Sequence, residues 1–476
     1  MSRKNIRKKT IRIGYWTLTS RFLGIIREML QVRFLGVSAI SDAFITAFRI
    51  PNFLRKIFAE GALSAASVPV IVKIQHKEGN ENVSRLMSAS FLFFEGIVAL
   101  LCIFAVLFPH LVVKAIAPGF SPEQIAYAIP FLRILFPLIF FLSSSALLAG
   151  ALHSVNHFFA PAFGPVVLNI FYISSLLLCL YHGKDVMFLS KGILVGGFAN
   201  FILHLIFYLK YNFRFSGITK HAIDNFKIIL KKFIPCLLGV SIIEVNLFLD
   251  SVIGSFLPQG AITILFYGNR FMNIPLGSFA IAFSTVLLPH FSRVVLYAPK
   301  RLNFYLLETA KFVSWVILPA MLFLMYTSKE LFDLMLKGRA TPEQLVEAKM
   351  ILIIYSSGLI FFSINKILVN MFYALKDTKT PTIASLIATI TNLVCNVIGL
   401  LLFGSRGIAG ATVISGITLT ALSIYFLSTK YKIHFYGKRY LSFLGKSLLQ
   451  LVSCAFFFIL SHKFIFNSID KYAKHD

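Results

Sequence analysis

The chain has 476 residues, a formal net charge of +27 and 57% hydrophobic residues. Only 14% of its residues are charged, and apolar runs of transmembrane length recur, which excludes an ordinary soluble domain. The basic residues lie in short segments between these runs, where the positive-inside rule accounts for them, so the charge does not indicate nucleic-acid binding. The five cysteines are far apart in apolar runs and indicate neither a disulfide framework nor a metal site.

In chain order, about thirteen membrane spans are predicted. They lie near 11–34, 38–74, 86–113, 125–152, 160–182, 187–209, 228–256, 262–290, 305–326, 346–373, 381–404, 407–428 and 442–465. The segments after the second, sixth, eighth, tenth and twelfth spans are basic, whereas most alternate loops carry little positive charge. This alternation predicts that the N-terminus is cytoplasmic and that the first of these segments does cross the membrane. The loop SKELFDLMLKGRATPEQ is expected to hold a small helix outside the membrane.

Charged residues crowd the first two spans, where a membrane protein tolerates them least. They are Arg21, Arg27, Glu28, Asp42, Arg49, Arg55, Lys56 and Glu60. An ionised side chain at the bilayer centre costs roughly 2.5–3.5 kcal/mol even on a lenient scale, so such groups usually face a polar cavity or one another. The pattern therefore predicts a cationic cavity and an anionic ligand.

The second span carries a polar stripe. Its members share one helical face: Asp42, Thr46, Arg49, Lys56 and Glu60. Pro51 is expected to kink this helix and to turn Asn52 and Arg55 toward the same cavity. The alternative is that Arg55, Lys56 and Glu60 form an ion-pair cluster at the membrane surface.

Arg21 and Arg27 lie on either side of Gly24 in the first span. On an ideal helix the two arginines point to different sides, so a break at Gly24 would be needed to aim both into one pocket. Arginine suits phosphate because its planar fork donates two hydrogen bonds and its charge persists at any physiological pH. Several arginines together therefore favour a diphosphate ligand.

A faint internal repeat links the two halves of the chain. Ala151 and Asn169 align with Ala374 and Asn392, which predicts an all-α polytopic protein of two six-helix lobes, related by a parallel pseudo-two-fold axis around a central cationic cavity. The alternative is chance similarity among apolar helices. The predicted domains are an N-terminal lobe at 1–210, a basic linker at 211–227, a C-terminal lobe at 228–430, and a basic loop with one extra helix at 431–476.

The eighth span occupies in the second lobe the place that the second span has in the first. Its one charged residue is Arg270, flanked by Asn269 and Asn273. Position in the repeat favours a cavity role, and the alternative is a lone arginine that reaches a lipid headgroup.

Motifs of ATP-driven or enzymatic chemistry are not found. The string LGKS at 444–447 lacks the upstream glycine of a P-loop, and no HExxH is present. Transport is therefore favoured over a membrane enzyme acting on polyprenyl phosphates. Two further classes stay open, a drug or polysaccharide exporter and a structural scaffold of the division machinery.

The strings SRFLGIIRE, SDAFITAFRIPNFLRKIFAEGALSAASVPV, APGF and NRFMNIPLGSFAIAFSTVLLP resemble the MurJ (MviN) family of lipid II flippases, within the multidrug/oligosaccharidyl-lipid/polysaccharide exporter superfamily. The resemblance covers roughly residues 10–430. It implies a non-enzymatic transporter of the bacterial inner membrane that moves lipid II, the undecaprenyl-pyrophosphate-linked peptidoglycan precursor, to the outer leaflet by alternating access. Expected partners are lipid II, membrane lipids and the cell-wall synthesis machinery.

The resemblance also implies functional residues. The family's cavity arginines fall on Arg21, Arg27, Arg55 and Arg270, its acid falls on Asp42, and Ser20, Asn52 and Glu60 match motif positions. Asn269 and Asn273 stand where the family commonly has acids. No organic cofactor is expected, and a sodium site is implied at Asp250, Asn392, Asn396 and Thr412, although Asn396 again replaces an acid. Members usually carry two extra C-terminal helices, whereas one is predicted here.

Overall fold

The computed structural model describes residues 3–56, 62–336 and 338–473. Within these ranges the secondary structure is helical, with no strands, which confirms the predicted all-α fold class. The helices run in the order α1 (Arg3–Leu35), α2 (Ala39–Arg55), α3 (Ala62–Leu107), α4 (Pro109–Ile116), α5 (Pro122–Leu135), α6 (Leu138–Ser154), α7 (Phe159–His182), α8 (Val186–Lys210), α9 (Lys220–Gly254), α10 (Ala261–Pro275), α11 (Ile281–Tyr297), α12 (Leu302–Tyr326), α13 (Ser328–Leu336), α14 (Pro342–Ser357), α15 (Leu359–Ala374), α16 (Lys379–Phe403), α17 (Ser405–Tyr431) and α18 (Gly437–Ala473).

Eight helical segments in the described part of the chain are long and apolar enough to cross a membrane, so this is a multi-pass membrane protein. They are Ala66–Leu107, Pro122–Ser154, Phe159–His182, Val186–Lys210, Pro299–Tyr326, Pro342–Ala374, Lys379–Phe403 and Ser405–Tyr431. The helices that carry the charges of the first two predicted spans are outside this set, since α1 is rich in charged residues and α2 has only 17 residues. The short helix expected in the loop after the ninth predicted span is present as α13.

The chain divides into two compact units. The first comprises Met1–Thr263 and Met335–Ala340, and the second comprises Ile264–Leu334 and Thr341–Asp476. The domain boundaries taken from the sequence, and the cavity expected between two lobes, stay predictions.

Local geometry supports the predicted repeat. Helices α5 and α14 both begin with a capping box, in which Ser121 pairs with Gln124 and Thr341 pairs with Gln344. Helices α6 and α15 are both followed by a residue with positive φ, Asn156 at 59° and Lys376 at 60°. Equivalent starts and ends at corresponding places in the two halves are not expected from chance similarity of apolar composition.

Packing in the first unit centres on α3, which contacts α6 and α9. The aromatic rings of Phe94 and Phe233 lie 5.1 Å apart between α3 and α9, inside a buried apolar cluster. The segment after the second predicted span, expected as a loop, is helical except at Gly79, where φ is 81°. Glycine permits this conformation because it has no Cβ.

In the second unit the closest helix pair is α16 and α17. A Cβ added at Gly407 would lie 2.0 Å from the carbonyl oxygen of Gly399, which no larger residue could accept without moving a helix. Small residues of this kind allow membrane helices to approach backbone to backbone.

Candidate functional site

Arg27 of α1 is held by side chains of a second helix. Its Nη1 donates to the Asn169 side-chain oxygen at 3.1 Å, and its guanidinium carbon lies 5.1 Å from the ring centre of Tyr172. Its Nη2 lies 3.3 Å from Glu28 Oε1. Because α1 packs along α7, which carries Asn169 and Tyr172, the arginine is held between the two helices with 19% of its side chain exposed.

The two residues that hold Arg27 are themselves fixed. The Asn169 amide nitrogen donates to the backbone oxygen of Ser20 at 3.1 Å and to its hydroxyl at 3.3 Å. The Tyr172 hydroxyl donates to Gln31 Oε1 at 2.7 Å. Ser20, predicted from the family motif, therefore lies next to the Arg27 site through Asn169.

Arg21 behaves differently. Helix α1 continues from Arg3 to Leu35, so the break at Gly24 that would aim both arginines into one pocket is not present. Arg21 is exposed, whereas Arg27 faces α7. The structure therefore places the two arginines on different sides of one continuous helix, as ideal helical geometry requires.

Arg55 lies at the end of α2, four residues after Pro51. Its Nε and Nη2 donate to the Asn52 side-chain oxygen at 3.1 and 2.8 Å, which brings these two predicted site residues together. Arg55 also lines a cavity of about 240 Å³ inside the first unit, together with His153, Asn200 and His204. Arg49 is half-buried on α2. Glu60 lies outside the described residues, so the ion-pair alternative for Arg55, Lys56 and Glu60 stays open.

Asp42 is fully buried and caps a helix. Its carboxylate accepts the backbone N–H of Gly260 at 2.6 Å and that of Thr263 at 2.8 Å, which are donors of the first turn of α10. The Thr263 hydroxyl at 2.6 Å and the Gln124 amide at 3.3 Å complete its shell. A carboxylate is favoured at this position because the unpaired N–H groups and the dipole of a helix N-terminus attract negative charge.

The predicted residues of the second unit are exposed or half-buried on α10. The guanidinium carbon of Arg270 lies 5.2 Å from the ring centre of Phe266. The Asn273 amide donates to both the backbone and the side-chain oxygen of Asn269, at 2.8 and 2.7 Å. Carboxylates at these two positions could not make this amide hydrogen bond.

The predicted sodium ligands fit sodium poorly. Asn392 and Asn396 are fully buried, and the Asn396 amide donates to Asn392 Oδ1 at 2.8 Å, which occupies one candidate ligand oxygen. The Thr412 hydroxyl donates to a backbone carbonyl of its own helix. These three residues supply no carboxylate. No group of three or more His, Cys, Asp or Glu side chains suited to a metal occurs among the described residues. The sodium site stays a prediction, and no transport step is derived through it.

Comparison with known proteins identifies the family. The family model described as "Lipid II flippase MurJ" matches residues 32–470. The chain belongs to this family. A relative from Vibrio cholerae named "Probable lipid II flippase MurJ" is 33% identical over 444 residues, which covers 88% of this chain and 82% of the relative. "Lipid II flippase MurJ" from Burkholderia cenocepacia is 30% identical over 413 residues, covering 85% and 80% of the two chains.

Solved structures agree with this assignment. A "Lipid II flippase MurJ, inward closed conformation" superposes with a TM-score of 0.81 at 29% identity, over 96% of this chain and all of that one. A multidrug resistance MATE transporter in an inward-facing conformation gives a TM-score of 0.71 at 14% identity, over 86% of this chain and 94% of that one, which shows a shared fold. The family predicted from the motifs, and a transporter rather than an enzyme, are thus confirmed.

Sequence reasoning missed two members of the Arg27 site. In the sequence, Asn169 stands out only through its alignment with Asn392, and nothing marks Tyr172. Nothing local to α7 distinguishes a tyrosine that stacks on an arginine from one buried in a helix interface. Only the packing of α7 against α1 shows the difference.

Proposed function

We propose that this protein is a lipid II flippase that moves the undecaprenyl-pyrophosphate-linked peptidoglycan precursor from the cytoplasmic to the outer leaflet of the bacterial inner membrane. The observation that carries the proposal is the half-buried Arg27 guanidinium, held by Asn169 and Tyr172 in a chain that belongs to the MurJ family.

Recognition of the pyrophosphate follows from the chemistry of arginine. Arg27 keeps 19% of its side chain exposed, and Nη1 and Nη2 each carry a second N–H besides the one directed at Asn169 or Glu28, so the guanidinium has further donors to offer a ligand. Phosphate oxygens accept such donors strongly, and arginine presents them in a fixed planar fork. We also assign phosphate-binding roles to Arg21, Arg55 and Arg270, and roles as polar ligand contacts to Arg49, Asn52, Asn269 and Asn273.

Transport of this ligand requires alternating exposure of the binding residues to the two sides of the membrane. The diphosphate, sugars and peptide cannot cross hydrocarbon unaided, whereas the polyprenyl tail can stay in lipid. A cationic site that changes its exposure also responds to the membrane potential, at about 2.3 kcal/mol per charge per 100 mV. Membrane potential is therefore one candidate driving force for the proposed cycle, beside an ion gradient and the consumption of product outside.

The orientation proposed is a cytoplasmic N-terminus. Basic segments such as 210–232 follow even-numbered predicted spans, and the positive-inside rule assigns them to the cytoplasm. Lipid II delivered to the outer leaflet would then pass to the cell-wall synthesis machinery, the partner expected on the far side.

The test is headgroup accessibility of lipid II in bacteria depleted of their own flippase and expressing this chain. We expect outward exposure to be restored by the wild type and lost with Arg21→Ala, Arg27→Ala or Arg270→Ala. Arg85→Ala is the matched control because Arg85 forms an i,i+4 ion pair with the exposed Glu81 on α3. Failure of the wild type at normal protein levels would refute the proposal, and chemically altered lipid II would favour the membrane-enzyme alternative.

A further inference from the structure

We infer that Asn169 and Tyr172 are positioning residues, which fix the direction in which the Arg27 guanidinium meets a phosphate group. The inference rests on the proposed function and deepens it, because it assigns the orientation of one ligand-binding arginine to two side chains of another helix. Neither residue needs to touch the ligand.

Asn169 and Tyr172 both contact the guanidinium group of Arg27. Asn169 takes one donor of Nη1, and the Tyr172 ring lies against the guanidinium. A planar group with one corner hydrogen-bonded and one face covered has little rotational freedom left. The part of the Arg27 side chain that stays exposed, 19% of it, is therefore held in a defined direction.

The side-chain amide of Asn169 has only one orientation that satisfies its hydrogen bonds. Its nitrogen donates to Ser20, whose backbone oxygen can only accept, so its oxygen must face Arg27. The amide therefore ties the arginine to the backbone of its own helix, two turns earlier. Such a constraint removes the conformational cost of ordering arginine when a ligand binds.

Tyr172 is buried, with 1% of its surface exposed. Its hydroxyl is fixed by Gln31, one turn after Arg27 on α1. The cation–π contact comes from the ring and the hydroxyl serves only to hold the ring in place. The two functions of the side chain can therefore be separated by substitution.

The test is a double-mutant cycle with purified, folded protein and a water-soluble lipid II analogue that has a short prenyl chain. Asn169→Ala should weaken binding by about tenfold, the scale of one hydrogen bond to a charged group. In an Arg27→Ala background the same substitution should change binding by less than about twofold, because a positioning residue acts only through the group it positions.

Substitutions of Tyr172 supply the second arm. Tyr172→Phe keeps the ring over Arg27 and should retain binding within about threefold, whereas Tyr172→Leu removes the cation–π contact and should lose about as much as Asn169→Ala. Ser175→Ala is the control on the same helix, since its hydroxyl donates within α7, to the Phe171 carbonyl.

The outcomes separate the two proposals. If the wild type does not bind the analogue, the proposed function fails. If the wild type binds but the losses at Asn169 and Arg27 add fully, or if Tyr172→Phe loses as much as Tyr172→Leu, Asn169 and Tyr172 are structural contacts between α1 and α7 and the inference is overturned.

Discussion

The Asp42 carboxylate accepts two hydrogen bonds from Thr263, one from the backbone N–H at 2.8 Å and one from the hydroxyl at 2.6 Å. With the Gly260 N–H at 2.6 Å, it satisfies donors of the first turn of α10. Arg270 lies further along this helix. The acid that sequence reasoning grouped with the ligand-binding residues therefore also has a structural role, which is to fix the start of a helix that carries one of them.

Removing this cap should destabilise the protein. Asp42→Ala would leave buried N–H groups of Gly260 and Thr263 without an acceptor, which costs about 1–3 kcal/mol. The measurement is a denaturation titration of purified protein in detergent micelles. Thr46→Val is the control one turn further along α2, because the Thr46 hydroxyl is buried with no hydrogen-bond partner among the described residues, so its loss should be neutral or stabilising. Equal stability of Asp42→Ala and wild type would contradict the capping role.

Lysine should replace Arg21 better than it replaces Arg27. Arg27 depends on a planar fork that bonds Asn169 and stacks on Tyr172, which an ammonium group cannot reproduce. Arg21 is exposed, so its charge matters more than its shape. The initial rate of lipid II exposure in depleted cells should fall by about tenfold with Arg27→Lys and by less than about threefold with Arg21→Lys. The opposite ranking would show that the Arg27 contacts do not matter for transport.

Alanine at Gly407 should disrupt the contact between α16 and α17. The added Cβ would lie 2.0 Å from the Gly399 oxygen, and overpacking of this kind costs about 1–3 kcal/mol. Gly410→Ala is a matched control on the same helix, because a Cβ there meets nothing within 4 Å. Thermal unfolding should show a lower midpoint for Gly407→Ala and an unchanged or higher midpoint for Gly410→Ala. A normal midpoint for Gly407→Ala would mean that the helices do not approach this closely.

Asp377, in the connection between α15 and α16, should make the free energy of unfolding depend on pH. Burial raises the pKa of this carboxyl, but hydrogen bonds from Lys430, Thr380 and Tyr431 outweigh burial and hold the pKa well below its ordinary value. A carboxyl with a depressed pKa contributes stability above its unfolded value of about 3.9, and that contribution is lost as the pH falls toward the folded value.

Asp377→Asn should therefore unfold at a lower temperature than wild type from pH 5 to 8, and the difference should shrink below about pH 4. Asp224→Asn is the control, since the ion pair of Asp224 with Lys227 is exposed and its loss should not alter the midpoint. If the difference in unfolding temperature between Asp377→Asn and wild type grew as the pH fell, the ionised Asp377 carboxylate would not be the stabilising form.

Some features of the fold and of the candidate site could be predicted from the sequence. The family motifs picked out Arg21, Arg27, Arg55 and Arg270, and helical spacing correctly separated Arg21 from Arg27 on α1. The small helix α13 and the helical character of the spans were also predictable, because capping residues and apolar runs act locally. The connection expected between the second and third spans is present but short, since Gly79 with its positive φ interrupts the helix while its neighbours stay helical.

The amino-acid sequence by itself determined that this chain is a polytopic helical transporter of the MurJ family, since apolar run length, charge placement and motif strings are properties of neighbouring residues. Only the tertiary structure decided that Asn169, 142 positions from Arg27, holds its guanidinium, and that Asp42 caps a helix 221 positions away at Thr263. Helical periodicity fixes which side chains share a face. Which faces meet depends on how distant helices pack, and that is not written in local spacing.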